Sequence, residues 1–310
     1  MVNIRELSPA LAKKARDELS ENPKTMENDI DMLRSWIEKQ PHLKSRTDDQ
    51  FLVMFLRGCK YSVERAKQKI DMFYTVRTAI PEIFKGRSLN DPKQLEIIKS
   101  GILLHLPKPV AEDGPGICLI RPGFYDPNKY HMRDIIKATS LINEIAINES
   151  DNITVAGQII ILDLTNVSKS HLMQFDVMFI KKLTMIMQDG SPLRQKGTHY
   201  INTTHGFETL LNIFLSFVNE KTKKRILVHG KDMESLYKHV PKKLLPSEYG
   251  GEAGPIQDII DYWENKVMSY RDYFLEEEEY GVNEKLRPGK PRNAEDLFGV
   301  DGTFRKLNID

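Results

Sequence analysis

The sequence lacks most of what a secreted, membrane-spanning or metal-bound protein needs. Its two cysteines, Cys59 and Cys118, fit a reducing compartment and are too few for a disulfide framework or a cysteine-rich zinc site. The N-terminus is charged throughout and has no signal-peptide-like apolar stretch. No segment offers the about 18 uninterrupted apolar residues of a membrane span. These absences predict a cytoplasmic protein.

An excess of charge of one sign is also missing. The 45 basic and 44 acidic side chains leave a net charge of +1 in 310 residues. No overall electrostatic field therefore draws the chain to nucleic acid, and an anionic partner must be met by a local patch. The composition, 40% hydrophobic and 29% charged, fits one large domain with a smaller one.

Catalytic and phosphate-binding motifs are absent as well. The sequence contains no G-x-S-x-G, H-E-x-x-H or G-x-x-x-x-G-K pattern, and His199, His205 and His229 show no metal-ligand spacing. Asp163 ends a strand-like run, where α/β enzymes place ligands. It is interpreted either as a carboxylate that accepts backbone N–H bonds or as the acid of a small-molecule enzyme. We predict no enzyme, no catalytic residue, no cofactor and no metal.

Helix signals dominate the first part of the chain. Ser8-Pro9 reads as an N-cap followed by proline at the first helical position. Residues 47–50, Thr-Asp-Asp-Gln, form a capping-box pattern before an apolar run. We predict an all-α unit that Pro81 closes.

From Asp91 onward, short apolar runs alternate with longer helical patterns, which is typical of βαβ units. The run QIIILDL, residues 158–164, has the continuous apolar character of a strand covered on both faces. We therefore predict a parallel sheet. The predicted strands are 102–106, 117–120, 158–164, 199–203 and 226–229, and the main predicted helices are 130–148, 170–188 and 255–274.

The segment 198–230 combines a very apolar helix with a cluster of cations. Apolar residues recur at helical spacing from Phe207 to Val218 but cover more than one face. Basic residues follow this helix and also precede the predicted strand that leads into it. Two interpretations stand: a core helix with a solvated charge run, or a cover over a hydrophobic cavity that also meets an anionic surface.

Four phrases in this order resemble the CRAL-TRIO (Sec14-like) lipid-binding family. They are residues 49–61, Ile201-Asn202-Thr203, residues 220–226 and residues 245–251 (LPSEYGG). The resemblance implies an α/β fold, with an all-α N-terminal helical domain before a CRAL-TRIO domain that has a mostly parallel sheet, flanking helices and a mobile lid helix. It places the helical domain at 1–85, the lipid-binding domain at 90–275 and a C-terminal extension at 276–310, whose end looks like that of arthropod members.

Within the family, the chain looks closer to tocopherol-transfer-like and retinaldehyde-binding-like members than to phosphatidylinositol carriers. Leu193 stands where the carriers place a headgroup-contacting glutamate. Cys59 replaces a basic residue, and Thr204 replaces a proline beside the lid. The phosphoinositide-binding residues that the resemblance implies are Arg194, Lys196, Lys221 and Arg225.

The resemblance also implies an apolar ligand pocket, with Ser140 or the neighbouring Glu144 as a polar anchor. The implied pocket residues are Ser140, Leu162, Leu183, Ile186, Met187 and Leu193, with Phe207, Leu211 and Phe214 from the lid.

We expect a carrier that binds one small hydrophobic lipid of the tocopherol, retinoid, carotenoid or sterol type. It would exchange this lipid at phosphoinositide-containing membranes, where it associates only transiently, and would not bind nucleic acid. The alternatives are a phosphatidylinositol or phospholipid transfer protein, an enzyme that uses Asp163, and a scaffold that binds membranes without a cargo.

Overall fold

The protein is built from helices around one central sheet. The structure, a computed structural model, describes residues 2–204 and 206–299. In these ranges the strands are β1 Leu43–Lys44, β2 Leu103–His105, β3 Gly116–Ile120, β4 Gln158–Asp163, β5 Gln195–Ile201, β6 Ile226–Gly230 and β7 Gly281–Val282. The helices are α1 Pro9–Leu19, α2 Met26–Glu38, α3 Asp49–Gly58, α4 Val63–Ala79, α5 Pro81–Phe84, α6 Pro92–Lys99, α7 Met132–Glu149, α8 Asp151–Ala156, α9 Lys169–Leu172, α10 Val177–Gln188, α11 Phe207–Phe217, α12 Glu220–Lys223, α13 Met233–Tyr237, α14 Ile256–Ser269, α15 Arg271–Glu277 and α16 Ala294–Phe298. Among the described helices, none is long and apolar enough to cross a bilayer.

The N-terminal helices begin where the capping signals predict. The Ser8 hydroxyl accepts a bond from the backbone N–H of Leu11 at the start of α1. The Asp48 carboxylate accepts one from Phe51 at 2.9 Å at the start of α3. Both bonds satisfy N–H groups that have no partner inside the helix. α3 is buried along most of its length and forms a separate hydrophobic core with α2 and α4.

The central sheet has the order β2-β3-β4-β5-β6. β3, β4, β5 and β6 run parallel, and β2 pairs antiparallel with β3 at one edge. The apolar run 158–164 forms β4 in the middle, where its residues are covered on both faces. The predicted, mostly parallel sheet is therefore confirmed.

One face of this sheet is shared by α7 and α11. Directly paired residues point to the same side of a sheet, so His105 and its partner Cys118 lie on one face. The His105 Nε2 atom lies 3.3 Å from the Asn143 Oδ1 atom of α7. Along the same face, the ring of Tyr200 lies 4.9 Å from that of Phe207 in α11. α7 therefore covers the β2 edge, and α11 covers the β5–β6 edge.

The last described segment returns to the N-terminal helices. We call residues 281–299 the C-terminal strap. It begins with β7, which pairs antiparallel with β1, and it ends in α16. Residues 300–310 of the predicted extension lie outside the described residues. We retain the division at 1–85, 90–275 and 276–310 as a proposal.

One prediction for the region before the strap is wrong at a single position, while Glu276 and Glu279 are exposed as expected. The four acids Glu276–Glu279 read as a solvated face, but Glu277 is buried and accepts a hydrogen bond from Arg46 Nε. The reason is a partner far away in the sequence, because Arg46 follows β1 and is brought to α15 by the fold. The ring of Tyr273 also packs under the Arg46 guanidinium, with its centroid 4.1 Å from Cζ.

Candidate functional site

The predicted lid helix, α11, is not packed as a core helix. Of its apolar residues only Phe207 is buried, with 6% of its surface exposed. The others are half-buried, including Leu211 and Phe214. A helix this apolar would lose that exposure in a closed core. This partial exposure argues against the interpretation as a buried core helix, and the role of α11 as a cover stays a prediction.

The wall beside this cover is α10. The Asp176 carboxylate caps it by accepting a bond from Phe179 N at 2.6 Å, and Phe179 packs into the main core. The predicted pocket residues Leu183 and Ile186 are half-buried on α10, whereas Met187 is 42% exposed. α10 thus presents apolar side chains that the protein itself does not fully cover.

Two further predicted pocket residues are also partly covered. Leu162 of β4 pairs with Tyr200 and therefore shares its sheet face, where it packs with Phe207 and Leu211. Leu193, just before β5, is half-buried against the main core. The face between α7, α10 and α11 thus combines a strand floor with helical walls, and the use of these residues as a ligand pocket stays a prediction.

Glu144, one of the two predicted polar anchors, is paired with two arginines. The Glu144 carboxylate is buried and takes both Arg77, at 2.9 Å, and Arg87, at 2.5 Å. Burial by itself raises the pKa of Glu144, but the two guanidinium groups hold the pKa below its ordinary value. Ser140, one turn earlier, donates to Lys137 O at 2.8 Å and accepts from Arg87 Nη1 at 3.4 Å. Both arginines contact Oε1 of Glu144, and its buried Oε2 has no partner among the described residues, so its use as a polar anchor stays a prediction.

Three of the four predicted phosphoinositide-binding cations lie close together. Arg194 and Lys196 stand at the start of β5, and Arg225 directly precedes β6. Because β5 and β6 are parallel neighbours, their starts meet at one edge of the sheet. The backbone N–H of Thr198 bonds the Arg225 carbonyl at 2.9 Å. The topology thus gathers charges that lie about thirty residues apart in the chain.

The cations of this cluster repel one another, although Glu18 lies beside them, with its Oε2 atom 3.8 Å from Lys196 Nζ. Burial lowers the pKa of Arg194, and neighbouring Arg225 lowers it further despite the opposing effect of Glu18. The pKa of Lys196 falls through burial and through Arg194. The Arg194 Nη2 group donates to Val155 O, while its buried Nε–H has no partner among the described residues. An anionic oxygen would relieve both the repulsion and the unmet donor.

Lys221 and Cys59, the other two positions considered for this cluster, differ in exposure to solvent. Lys221 lies on α12, which the Asn219 side chain caps at 2.9 Å from Thr222 N, and Lys221 is exposed to solvent. Cys59, which replaces a basic residue, is buried, and burial raises the pKa of its thiol. Cys59 therefore contributes no charge to the cluster.

Asp163 is fully engaged by the protein. Its carboxylate accepts from Thr165 N at 3.0 Å, from Thr165 Oγ1 at 2.7 Å and from Asn202 Nδ2 at 2.8 Å. The Tyr249 hydroxyl, from the LPSEYGG phrase, donates to its other oxygen at 2.6 Å. These bonds join the ends of β4 and β5 to the turn after α13. The geometry supports the interpretation as a structural carboxylate.

Asp163→Ala should therefore destabilise the fold without removing a reaction. The change leaves three donor residues without their acceptor, and we expect a loss of about 3 kcal/mol in the free energy of unfolding. Urea unfolding followed by circular dichroism would measure it. Tyr249→Phe is the matched control, because it removes one of these bonds and should cost about 1 kcal/mol. A fully stable Asp163→Ala protein would contradict this assignment.

A histidine stack lies on the opposite face of the sheet. His199 Nδ1 is 2.9 Å from His229 Nε2, and His229 Nδ1 is 2.8 Å from Ser235 Oγ. Burial, followed by the neighbouring His229 and His239, lowers the pKa of His199 to about 4. Burial also lowers the pKa of His229. His199 and His229 are buried and hydrogen-bonded to each other, as expected of core residues. His205 lies outside the described residues.

Comparison with known proteins identifies the family. Residues 111–251 match the CRAL/TRIO domain, and residues 22–94 match the UBA domain of Pinta-like proteins. Human alpha-tocopherol transfer protein-like is 34% identical over 275 residues, which cover 88% of this chain and 79% of that protein. The chain belongs to the CRAL/TRIO family.

A second relative is similar over most of its length. Human clavesin-2 is 29% identical over 285 residues, covering 92% of this chain and 85% of that protein. The crystal structure of Sfh5 aligns with 87% of this chain and 99% of its own, at 15% identity and a TM-score of 0.48. The predicted family, with its tocopherol-transfer-protein-like relatives, and the predicted fold class are confirmed. The CRAL/TRIO family comprises lipid-binding transfer proteins.

Proposed function

We propose that the protein is a cytoplasmic carrier for one small hydrophobic lipid of the tocopherol, retinoid, carotenoid or sterol type. The observation that carries this proposal is the incomplete burial of α11 and α10 beside the sheet face of Leu162 and Tyr200. A bound apolar molecule would cover these side chains. Each Å² of apolar surface removed from water contributes roughly 25 cal/mol, so no covalent bond to the ligand is needed.

The cation cluster supports the second half of the proposal, exchange at phosphoinositide-containing membranes. Arg194, Lys196 and Arg225 are held near one another at the start of β5 and β6, with Lys221 exposed close by in the sequence. Phosphate groups accept charge-assisted bonds from such side chains. The predicted set of four residues is the site we propose for the headgroup, and the membrane association is transient.

The proposed protein acts by binding and is not an enzyme. The hydrogen bonds that occupy Asp163 support this part, as does membership of a lipid-transfer family. A phosphatidylinositol carrier is the second candidate, and Leu193 in place of an acidic headgroup contact argues against it.

The test is to identify what the purified protein holds. Native mass spectrometry of protein from its own tissue, followed by lipid extraction, should find about one small hydrophobic lipid per chain. Ile186→Trp fills the proposed space and should reduce that occupancy about tenfold or more, because overpacking excludes the ligand. Leu275→Trp is the control, since Leu275 is 62% exposed.

The outcomes separate the candidates. Phosphatidylinositol in the extract would favour the second candidate. A wild-type protein that is always empty, yet binds phosphoinositide vesicles, would instead indicate a membrane scaffold. Equal occupancy in Ile186→Trp and wild type would place the ligand somewhere other than beside α10.

A further inference from the structure

The C-terminal strap is anchored firmly to the N-terminal helices. The Arg287 Nη1 group lies 2.8 Å and 2.9 Å from the two Asp71 carboxylate oxygens, and Arg292 Nη1 lies 2.9 Å from Asp71 Oδ2. The His42 Nε2 atom approaches the same carboxylate at 3.0 Å. Together with the β1–β7 pairing, these bonds fix the first half of the strap on α4.

The far end of the strap packs against α10. Phe298 is only 2% exposed and belongs to the main hydrophobic core, although it lies near the end of the described chain. The Lys181 Nζ group of α10 donates to the Phe298 carbonyl at 2.9 Å. The Lys182 Nζ group lies 5.5 Å from the centre of the Phe298 ring. Two consecutive residues of α10 thus hold the strap.

The other end of α10 contacts the lid. The Gln188 side chain accepts from Asn219 Nδ2 at 2.7 Å and donates to Phe217 O at 3.3 Å, at the end of α11. Lys69 of α4 donates to the backbone carbonyls of Gln188 and Asp189 at 2.8 Å and 3.2 Å. α10 therefore connects the strap and the N-terminal helices on one side to the lid on the other.

We propose that the strap is a brace on the lid, with Phe298 as the positioning residue that sets how readily α10 and α11 separate. This inference rests on the proposed function, since α10 and α11 bound the proposed lipid space. Both ends of the brace are fixed, at Asp71 and at Phe298. An aromatic ring buried against α10 holds that wall in place, and its removal would free α10 to move away from the sheet.

The strap lies outside both matched domain models. The family matches end at residue 251 and the strap begins at residue 281. A regulator that lies outside the pocket can change the rate of exchange without changing which lipid fits. Local opening of a wall requires a smaller free energy than global unfolding. Lost packing against α10 lowers this free energy further and raises the population of the open state.

Hydrogen–deuterium exchange of the full chain tests the brace without a ligand. Phe298→Ala should speed amide exchange in α10 and α11 by about tenfold or more, while α7 and α14 keep wild-type rates. Phe298→Leu retains apolar contact and should restore most of the protection. Leu286→Ala, an apolar truncation at an exposed strap position, should change nothing.

Two results would overturn the brace. Wild-type exchange rates in α10 and α11 of Phe298→Ala would show that the strap does not hold them. An equal acceleration in α7 and α14 would show a general loss of stability instead. Both readings are independent of the lipid extraction described above, so the brace and the carrier function can fail separately.

Discussion

Reversing the charge of Lys196 and Lys221 together should weaken binding to vesicles of phosphatidylcholine with phosphatidylinositol 4,5-bisphosphate by about a hundredfold or more. Each basic residue near an anionic membrane contributes about 1 kcal/mol, and a carboxylate in its place adds repulsion. We choose the lysines because Arg194 and Arg225 also donate to the backbone carbonyls of Val155 and Gln195. Vesicle sedimentation over a range of protein concentrations gives the affinity.

The matched control reverses two lysines elsewhere. Lys238→Glu with Lys285→Glu changes the net charge by the same amount at two exposed positions. This protein should keep an affinity within about threefold of wild type, because neither lysine lies at the start of β5 or β6, where the cluster is. An equal loss in both double variants would mean that net charge, and not the cluster, governs binding. The amount of lipid retained should be unchanged in both.

Glu144→Ala should lower the free energy of unfolding by about 3–5 kcal/mol, because it leaves the buried guanidinium groups of Arg77 and Arg87 without their shared carboxylate. For a chain of this size the melting temperature should fall by roughly 10 °C. Differential scanning calorimetry would measure both the temperature and the enthalpy.

A glutamate at the end of the same helix provides the comparison. Glu149 of α7 is exposed and pairs with Lys266 at 2.6 Å on the surface. Glu149→Ala should cost less than about 1 kcal/mol, as exposed ion pairs do. If the two substitutions lowered the melting temperature equally, Glu144 could not be the buried bridge between α4, α7 and the segment after α5.

The parts of the fold that depend on local sequence were predictable. The run 158–164 is apolar at five of its seven positions, and all of it except Leu164 forms β4. The family resemblance supplied the basic residues of the cluster, and the structure explains why three of them meet: Arg194, Lys196 and Arg225 lie at the starts of parallel neighbouring strands. The family resemblance supplied the lid and the pocket, and their ligand role stays a prediction.

Partners far apart in the sequence could not be predicted. The ion pairs of Glu144 could not be predicted because no basic residue lies within one turn of it in α7. Its partners Arg77 and Arg87 come from α4 and from the segment after α5. Glu277 looked solvated within an acidic run for the same reason. Hydrophobic periodicity indicates which side of a helix is buried, but it does not indicate which distant charged residue will pair with a buried acidic side chain on that helix.

Pairing between β1 and β7 also constrains the order in which the polypeptide acquires its structure during synthesis. Residues 43–44 leave the ribosome early, whereas their partners at 281–282 follow almost the whole chain later. Until then Asp71 lacks Arg287 and Arg292, and α10 lacks the ring of Phe298. Contacts of such sequence separation form late and slow the final step. The N-terminal helices are thus completed by residues that are translated more than two hundred positions later.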